Sequence, residues 1–116
     1  MSSHDVRVSL LQMRDAAHEA LAMTQVKLRA DLDKDRMFSL AIVRLLEILG
    51  EAANRISRDE QSRYPRIPWT QIIGLRNRLI HAYDQIDHDI LWQILTSDLP
   101  PLCSELERLV SSDSPG

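Results

Sequence analysis

Residues 35–57 constrain this chain more than any other stretch. Phe38, Ala41, Ile42, Leu45, Ile48, Leu49, Ala52 and Ile56 recur at helical spacings and make a wide apolar face. Leu40, Val43 and Leu46 extend that face onto a second side. A helix that is apolar on two sides needs two neighbours, so the pattern predicts a helix packed within a bundle or against another subunit. Gly50 lies inside the run, where glycine costs about 1 kcal/mol relative to alanine. With Ala52 and Ala53 it makes a patch of small residues that lets another helix approach closely.

The rest of the chain supplies the neighbours. Over residues 5–30, Leu10, Met13, Ala17, Leu21, Thr24 and Leu28 alternate at spacings of three and four, which predicts a long amphipathic helix capped by Asp5. His18 reads as a surface residue of that helix. Asp31, Asp33 and Asp35 alternate as in a calcium loop, but the glycine and distal glutamate of such a loop are missing. Capping of the next helix by Asp33 or Asp35 explains them better. Residues 58–68, with Tyr64-Pro65 and Ile67-Pro68, read as a connection. Trp69 opens a shorter helix with Ile72, Ile73, Leu79 and Ile80 apolar, and Asp84-Gln85 breaks it. Asp87 caps a last helix with Ile86, Ile90, Leu91, Ile94 and Leu95 inward. Pro100-Pro101 restarts or kinks it before Leu102, Leu106, Leu109 and Val110, and residues 111–116 are a frayed tail. Nothing alternates as a strand does. The prediction is all-α: one domain over residues 1–116, an up-and-down bundle of four to five helices with a kinked C-terminal helix.

Composition narrows the function. A net charge of −3 argues against a broad basic surface for nucleic acid, so RNA binding has to be local. Cys103 is the only cysteine, which rules out an internal disulfide and a four-cysteine zinc site; it reads as a buried, inert thiol. Neither a signal-peptide pattern nor a membrane-length apolar run is present, and the expected location is the cytoplasm.

The chemistry concentrates in Arg76-Asn77-Arg78-Leu79-Ile80-His81-Ala82-Tyr83. Arginine offers a permanent, forked cation suited to phosphate, and histidine exchanges a proton near neutrality. Together they suit a phosphodiester site that needs no metal. The same residues also suit a helix end whose arginines pair with acids or terminal carbonyls, and spacing alone favours that second reading.

A resemblance weighs against it. Gly50-Glu51-Ala52, Ile67-Pro68-Trp69, the run 76–83, and Asp87 followed by Ile90 and Trp92 occur in the order seen in HepT-like proteins of the HEPN superfamily. The likeness extends from the first helix to about Leu109. The family motif, arginine, four residues, histidine, one residue, tyrosine, falls on Arg76, His81 and Tyr83, with Asn77 in the polar position after the arginine. The resemblance implies an HEPN-like bundle that dimerises and a metal-independent endoribonuclease toxin of a toxin–antitoxin pair. It also implies that a minimal nucleotidyltransferase antitoxin silences the toxin by attaching AMP to Tyr83.

Cleaving RNA without a metal needs a base for the 2′-hydroxyl, an acid for the 5′-oxygen and positive charge for the phosphorane. His81 suits either proton role and Arg76 the charge. Arg76 and His81 lie about 140° apart on an ideal helix, and one histidine cannot easily make both transfers. A homodimer would bring two motifs across one cleft, and a higher oligomer is also allowed. Asn77 and Arg78 are auxiliary RNA or phosphate contacts, though an exposed ion pair serves Arg78 equally well. Glu51 is expected to pair with an arginine of the motif, and His88 to face solvent. Asp84, Asp87, His88 and Asp89 are explained by helix capping, so neither metal nor cofactor is predicted. The competing reading is a non-catalytic helical module that presents nucleotide or substrate to a nucleotidyltransferase.

Overall fold

The computed structural model describes residues 3–79 and 85–112. Helix α1 (Ser3–Thr24) and helix α3 (Arg36–Asn54) pack along each other, and α8 (Leu99–Ser112) lies against α1. Short helices fill the rest: α2 (Asp31–Lys34), α4 (Arg58–Gln61), α5 (Trp69–Ile73), α6 (Leu75–Leu79) and α7 (His88–Gln93). A π-helical turn, Ile94–Asp98, joins α7 to α8. The predicted all-α bundle is therefore observed, with eight helical segments among the described residues where four to five were expected, and a π turn at Ile94–Asp98 in place of a kink at the prolines. No helix among the described residues is long and apolar enough to cross a membrane.

The stripe on α1 buries Leu10, Met13, Ala17 and Thr24, but the helix stops six residues short of the expected end. Thr24 turns its hydroxyl back onto the Ala20 carbonyl at 2.8 Å, and the Leu28 amide donates to the Asp31 carboxylate at 2.7 Å. Those local bonds compete with helix continuation, and Leu28, 73% exposed, finds nothing to pack on. Asp5 lies within the first turn rather than capping it.

Asp35, not Asp33, caps α3, accepting from the Phe38 amide at 3.1 Å. That bond, with Lys27 nearby, holds the Asp35 carboxyl below its ordinary range. Helix α3 ends at Asn54, not Ser57, because Ser57 caps the separate helix α4 inside the expected connection. Phe38, Ile42, Leu45, Leu46, Leu49, Ala52 and Ala53 are buried along α3, whereas Met37 and Leu40 stay 82% and 55% exposed. Gly50 marks the closest approach. A Cβ there would stand 3.1 Å from the main-chain carbonyl of Ile72, so α5 crosses α3 at a distance that a side chain would oppose.

The C-terminal rod keeps Leu91, Leu95 and Leu99 in one buried seam although they are four residues apart. In an α-helix each such step turns the seam by about 40°. The wider π turn, in which the Leu99 amide donates to the Ile94 carbonyl, absorbs that drift ahead of Pro100 and Pro101. Leu102, Leu106, Leu109 and Val110 are buried as predicted, and Cys103 with them, its thiol pushed up to about 11 by burial. Helix α8 includes Ser111 and Ser112 of the expected tail; the remaining residues lie outside the described part.

His88 does not face open solvent. Its Nδ1 lies 2.7 Å from Asp33 Oδ1 and so donates to that carboxylate, while Nε2 is 3.4 Å from the Ser39 hydroxyl. Arg29 bonds Asp33 at 2.9 Å and Asp89 at 2.7 Å, so one cluster ties α2 to α7. The His88 bond, then Arg29, holds Asp33 below the ordinary carboxylate range. Asp87 caps α7 as expected.

The cap on α3 carries a signed pH dependence. A carboxyl held below its ordinary value of 3.8 adds stability that is present above that value and lost as pH falls through the folded-state value. Asp35→Ala should lower Tm by several degrees at pH 7, measured by circular dichroism. The gap from wild type should narrow as pH drops below about 4.

Candidate functional site

Helix α6 is pinned by Leu75 and Leu79, one turn apart and both buried, which turns Arg76, Asn77 and Arg78 outward. The N-terminal end of α6 is set by α5, where Trp69 is buried and its indole N–H donates to the Tyr64 carbonyl at 3.1 Å. Gly74 separates the two short helices that had been expected to run as one. The motif arginine thus reaches the surface from a segment tied down on both sides.

Arg76 is 68% exposed and points toward α3, with a guanidinium nitrogen 3.8 Å from Glu47. Glu47 is also 3.8 Å from Arg44, and Arg44 is 3.4 Å from Glu51. The expected pairing of Glu51 with the motif is therefore replaced: Glu47 meets Arg76, and Glu51 meets Arg44. The reason is register. Glu47 lies one turn before Glu51 on the same face of α3, and Gly50 lets α5 settle so that α6 emerges opposite the earlier turn. Glu47 and Arg44 were not singled out from the sequence, although the spacing Arg44, Glu47, Glu51 on one helix was the available signal.

A solvent-open groove with a volume of about 250 Å³ runs between α3 and α5 beside this pair, lined by Glu47, Gly50, Glu51, Asn54, Ile73 and Arg76 among others. Arg78 points elsewhere, toward the π turn, where Asp98 lies 3.5 Å away. Of its two readings, the structure shows the exposed ion pair. Asn77 is exposed between the two arginines. His81 and Tyr83 lie outside the described residues. Their flanks are joined, since the Asp87 amide donates to the Leu79 carbonyl at 2.9 Å.

Chemically, the described part is a cation on a groove wall, held by one long, exposed carboxylate contact. Such contacts are weak in water, which leaves Arg76 available to an incoming anion. The groove brings one more carboxylate, Glu51, and an amide, Asn54, within one or two helical turns of that contact.

The sequence matches the family described as "Ribonuclease HepT-like" over residues 13–109. It is 36% identical to a Methanocaldococcus jannaschii protein named "Putative RNase MJ1380", over 92% of this chain and 98% of that one. It is 39% identical to a Thermococcus cleftensis protein named "Probable ribonuclease HepT", over 65% of this chain and 68% of that one. A second M. jannaschii protein, "Putative RNase MJ0127", is 30% identical over 95% of this chain and 91% of its own. No solved structure matches at a significant level.

The geometry separates these side chains from the core. Arg76→Ala and Arg78→Ala should each change the unfolding free energy by less than about 1 kcal/mol in urea titrations, because both pairs are long and exposed. A loss of several kcal/mol would make either arginine a structural residue.

Proposed function

The chain belongs to the ribonuclease HepT-like family, and on that premise we propose a metal-independent endoribonuclease that acts as the toxin of a toxin–antitoxin pair in the cytoplasm. Arg76 carries the reading. It is an exposed guanidinium at the edge of a groove, on a helix held in place by two buried leucines. In this mechanism Arg76 binds the scissile phosphate and stabilises the charge that grows on its equatorial oxygens. His81 takes the proton from the 2′-hydroxyl. The 2′-oxygen attacks phosphorus, the bond to the 5′-oxygen breaks, and a proton is delivered to that leaving oxygen. The products are a 2′,3′-cyclic phosphate and a 5′-hydroxyl. Asn77 and, once released from Asp98, Arg78 assist as contacts to the RNA backbone.

The second proton transfer asks for a second histidine, and a homodimer supplies it. Met37 and Leu40, exposed on α3 along the same stripe as Arg44 and Glu47, support that assembly, because large apolar side chains clustered at the surface are typical of interfaces. Control is assigned to Tyr83. AMP attached there by a nucleotidyltransferase partner would set a phosphate and a nucleoside beside the motif and exclude RNA by occupancy.

Arg76→Ala and His81→Ala should each abolish cleavage of a labelled RNA while Tm stays near wild type, and EDTA should leave wild-type cleavage intact. Met37→Glu and Leu40→Glu should shift the protein to monomer in sedimentation and lower cleavage together with it. Retained cleavage in Arg76→Ala would defeat the assignment. So would cleavage unchanged in a monomeric variant, for the two-chain site.

Tyr83→Phe keeps the ring but removes the acceptor oxygen. Incubated with the nucleotidyltransferase and ATP, wild type should gain the mass of AMP, and Tyr83→Phe should not. AMP-sized additions that persist in the variant would place the modification elsewhere.

A further inference from the structure

The groove beside Arg76 has an unusual lining for a protein that handles a polyanion. Glu47, Glu51 and Asn54 lie along one side of α3 at spacings of four and three, spanning about 10 Å of helix. Two carboxylates next to the phosphate-binding cation repel RNA backbone, so backbone affinity does not account for them. Their long contacts give them little weight in stability either: Glu51, 53% exposed, meets Arg44 at 3.4 Å, and Glu47, half-buried, meets Arg44 and Arg76 at 3.8 Å. The opposite wall is apolar. Ile73 is an exposed isoleucine of α5, across the groove from the carboxylates of α3. At about 250 Å³ the groove is slightly below the usual range for small-ligand clefts, room for one planar group rather than a run of nucleotides.

Resting on the nuclease reading above, we propose that this groove is a base-selecting subsite. It takes the nucleobase next to the scissile phosphate and favours bases bearing an exocyclic amino group over uracil. Bases in single-stranded RNA are read on their Watson–Crick edges and held against flat or apolar surfaces. Ile73, with Ile72 and Leu75 beside it in the lining, provides such a surface. Carboxylates only accept hydrogen bonds. Adenine, cytosine and guanine offer amino donors to them, and guanine adds its ring N–H beside the amino group. Uracil flanks its single N–H with carbonyl oxygens, which face carboxylates unfavourably. Glu51, farther from Arg76 than Glu47, is the principal acceptor. Asn54, one turn on, is able to meet either a donor or an acceptor at the far edge of the base. Arg44 swings off Glu51 when the base arrives, an exchange made easy by the exposed contact.

Oligonucleotides with one ribonucleotide in a deoxy background confine cleavage to one bond, and the bases on either side of it can be varied. On one side, adenine, cytosine or guanine should give cleavage about tenfold or more faster than uracil, and Glu51→Gln should bring that ratio toward one. All-deoxy versions, with deoxyuridine as the uracil member, have no 2′-hydroxyl. They report affinity alone by fluorescence anisotropy, with the same ranking. Each readout is a ratio between bases within one variant, so a general loss of activity cancels. Cleavage indifferent to the base, or a ratio unchanged by Glu51→Gln, overturns the subsite and leaves the nuclease reading standing. Ranked affinity without cleavage by wild type supports the subsite and overturns the nuclease reading. Affinity for none of the oligonucleotides overturns the subsite.

Discussion

The crossing of α5 over α3 at Gly50 sets the geometry of the surface around Arg76. At this point a main-chain carbonyl, that of Ile72, stands 3.1 Å from where any larger residue would place its Cβ. Two helices meeting backbone to backbone leave little freedom in their relative depth, because close-packed interiors resist even a methylene of change. Helix α6 follows two residues later, so the height at which Arg76 leaves the bundle is inherited from that contact. Its pairing with Glu47 rather than Glu51 follows.

At the bundle's other end the restraint is electrostatic. Arg29, Asp33, His88 and Asp89 tie α2 to α7. The π turn between α7 and α8 keeps one buried seam straight across a spacing that an α-helix would twist, and it carries Asp98 to Arg78. A polar corner and a local change of helical pitch thus hold the segment that starts at Asp87, whose amide closes onto Leu79.

Much of this architecture was legible in the sequence, because it rests on periodicity. The stripes on α8, on α3 apart from Leu40, and on α1 as far as Thr24 lie along the core, and Asp35 and Asp87 cap as their positions suggested. What periodicity does not report is where a stripe runs out of neighbours. Leu28 continues the pattern of α1 yet has nothing to cover it, and Thr24 with Asp31 ends the helix earlier. The π turn was hinted at by the spacing of four from Leu91 to Leu95 to Leu99, a signal easily taken for a proline kink. Among site residues, Arg76, Asn77 and Arg78 are recognisable by type and motif. Glu47 is not, since its meaning depends on which turn of α3 faces α6, a tertiary fact fixed by a glycine three residues away. His88 was misread because a histidine at a helix start gives no sign of the aspartate that approaches from another helix.

Many surface arginines of this acidic chain share a habit. Arg29, Arg44, Arg66, Arg76, Arg78 and Arg108 each have a carboxylate within 4 Å. A cation already matched by a fixed anion holds few mobile ions around it. When a phosphate takes such a cation, the carboxylate left behind gathers ions from solution, which offsets part of the entropy gained from the ions that the phosphates release. A polyanion bound through these arginines would therefore depend on salt less steeply than their number suggests.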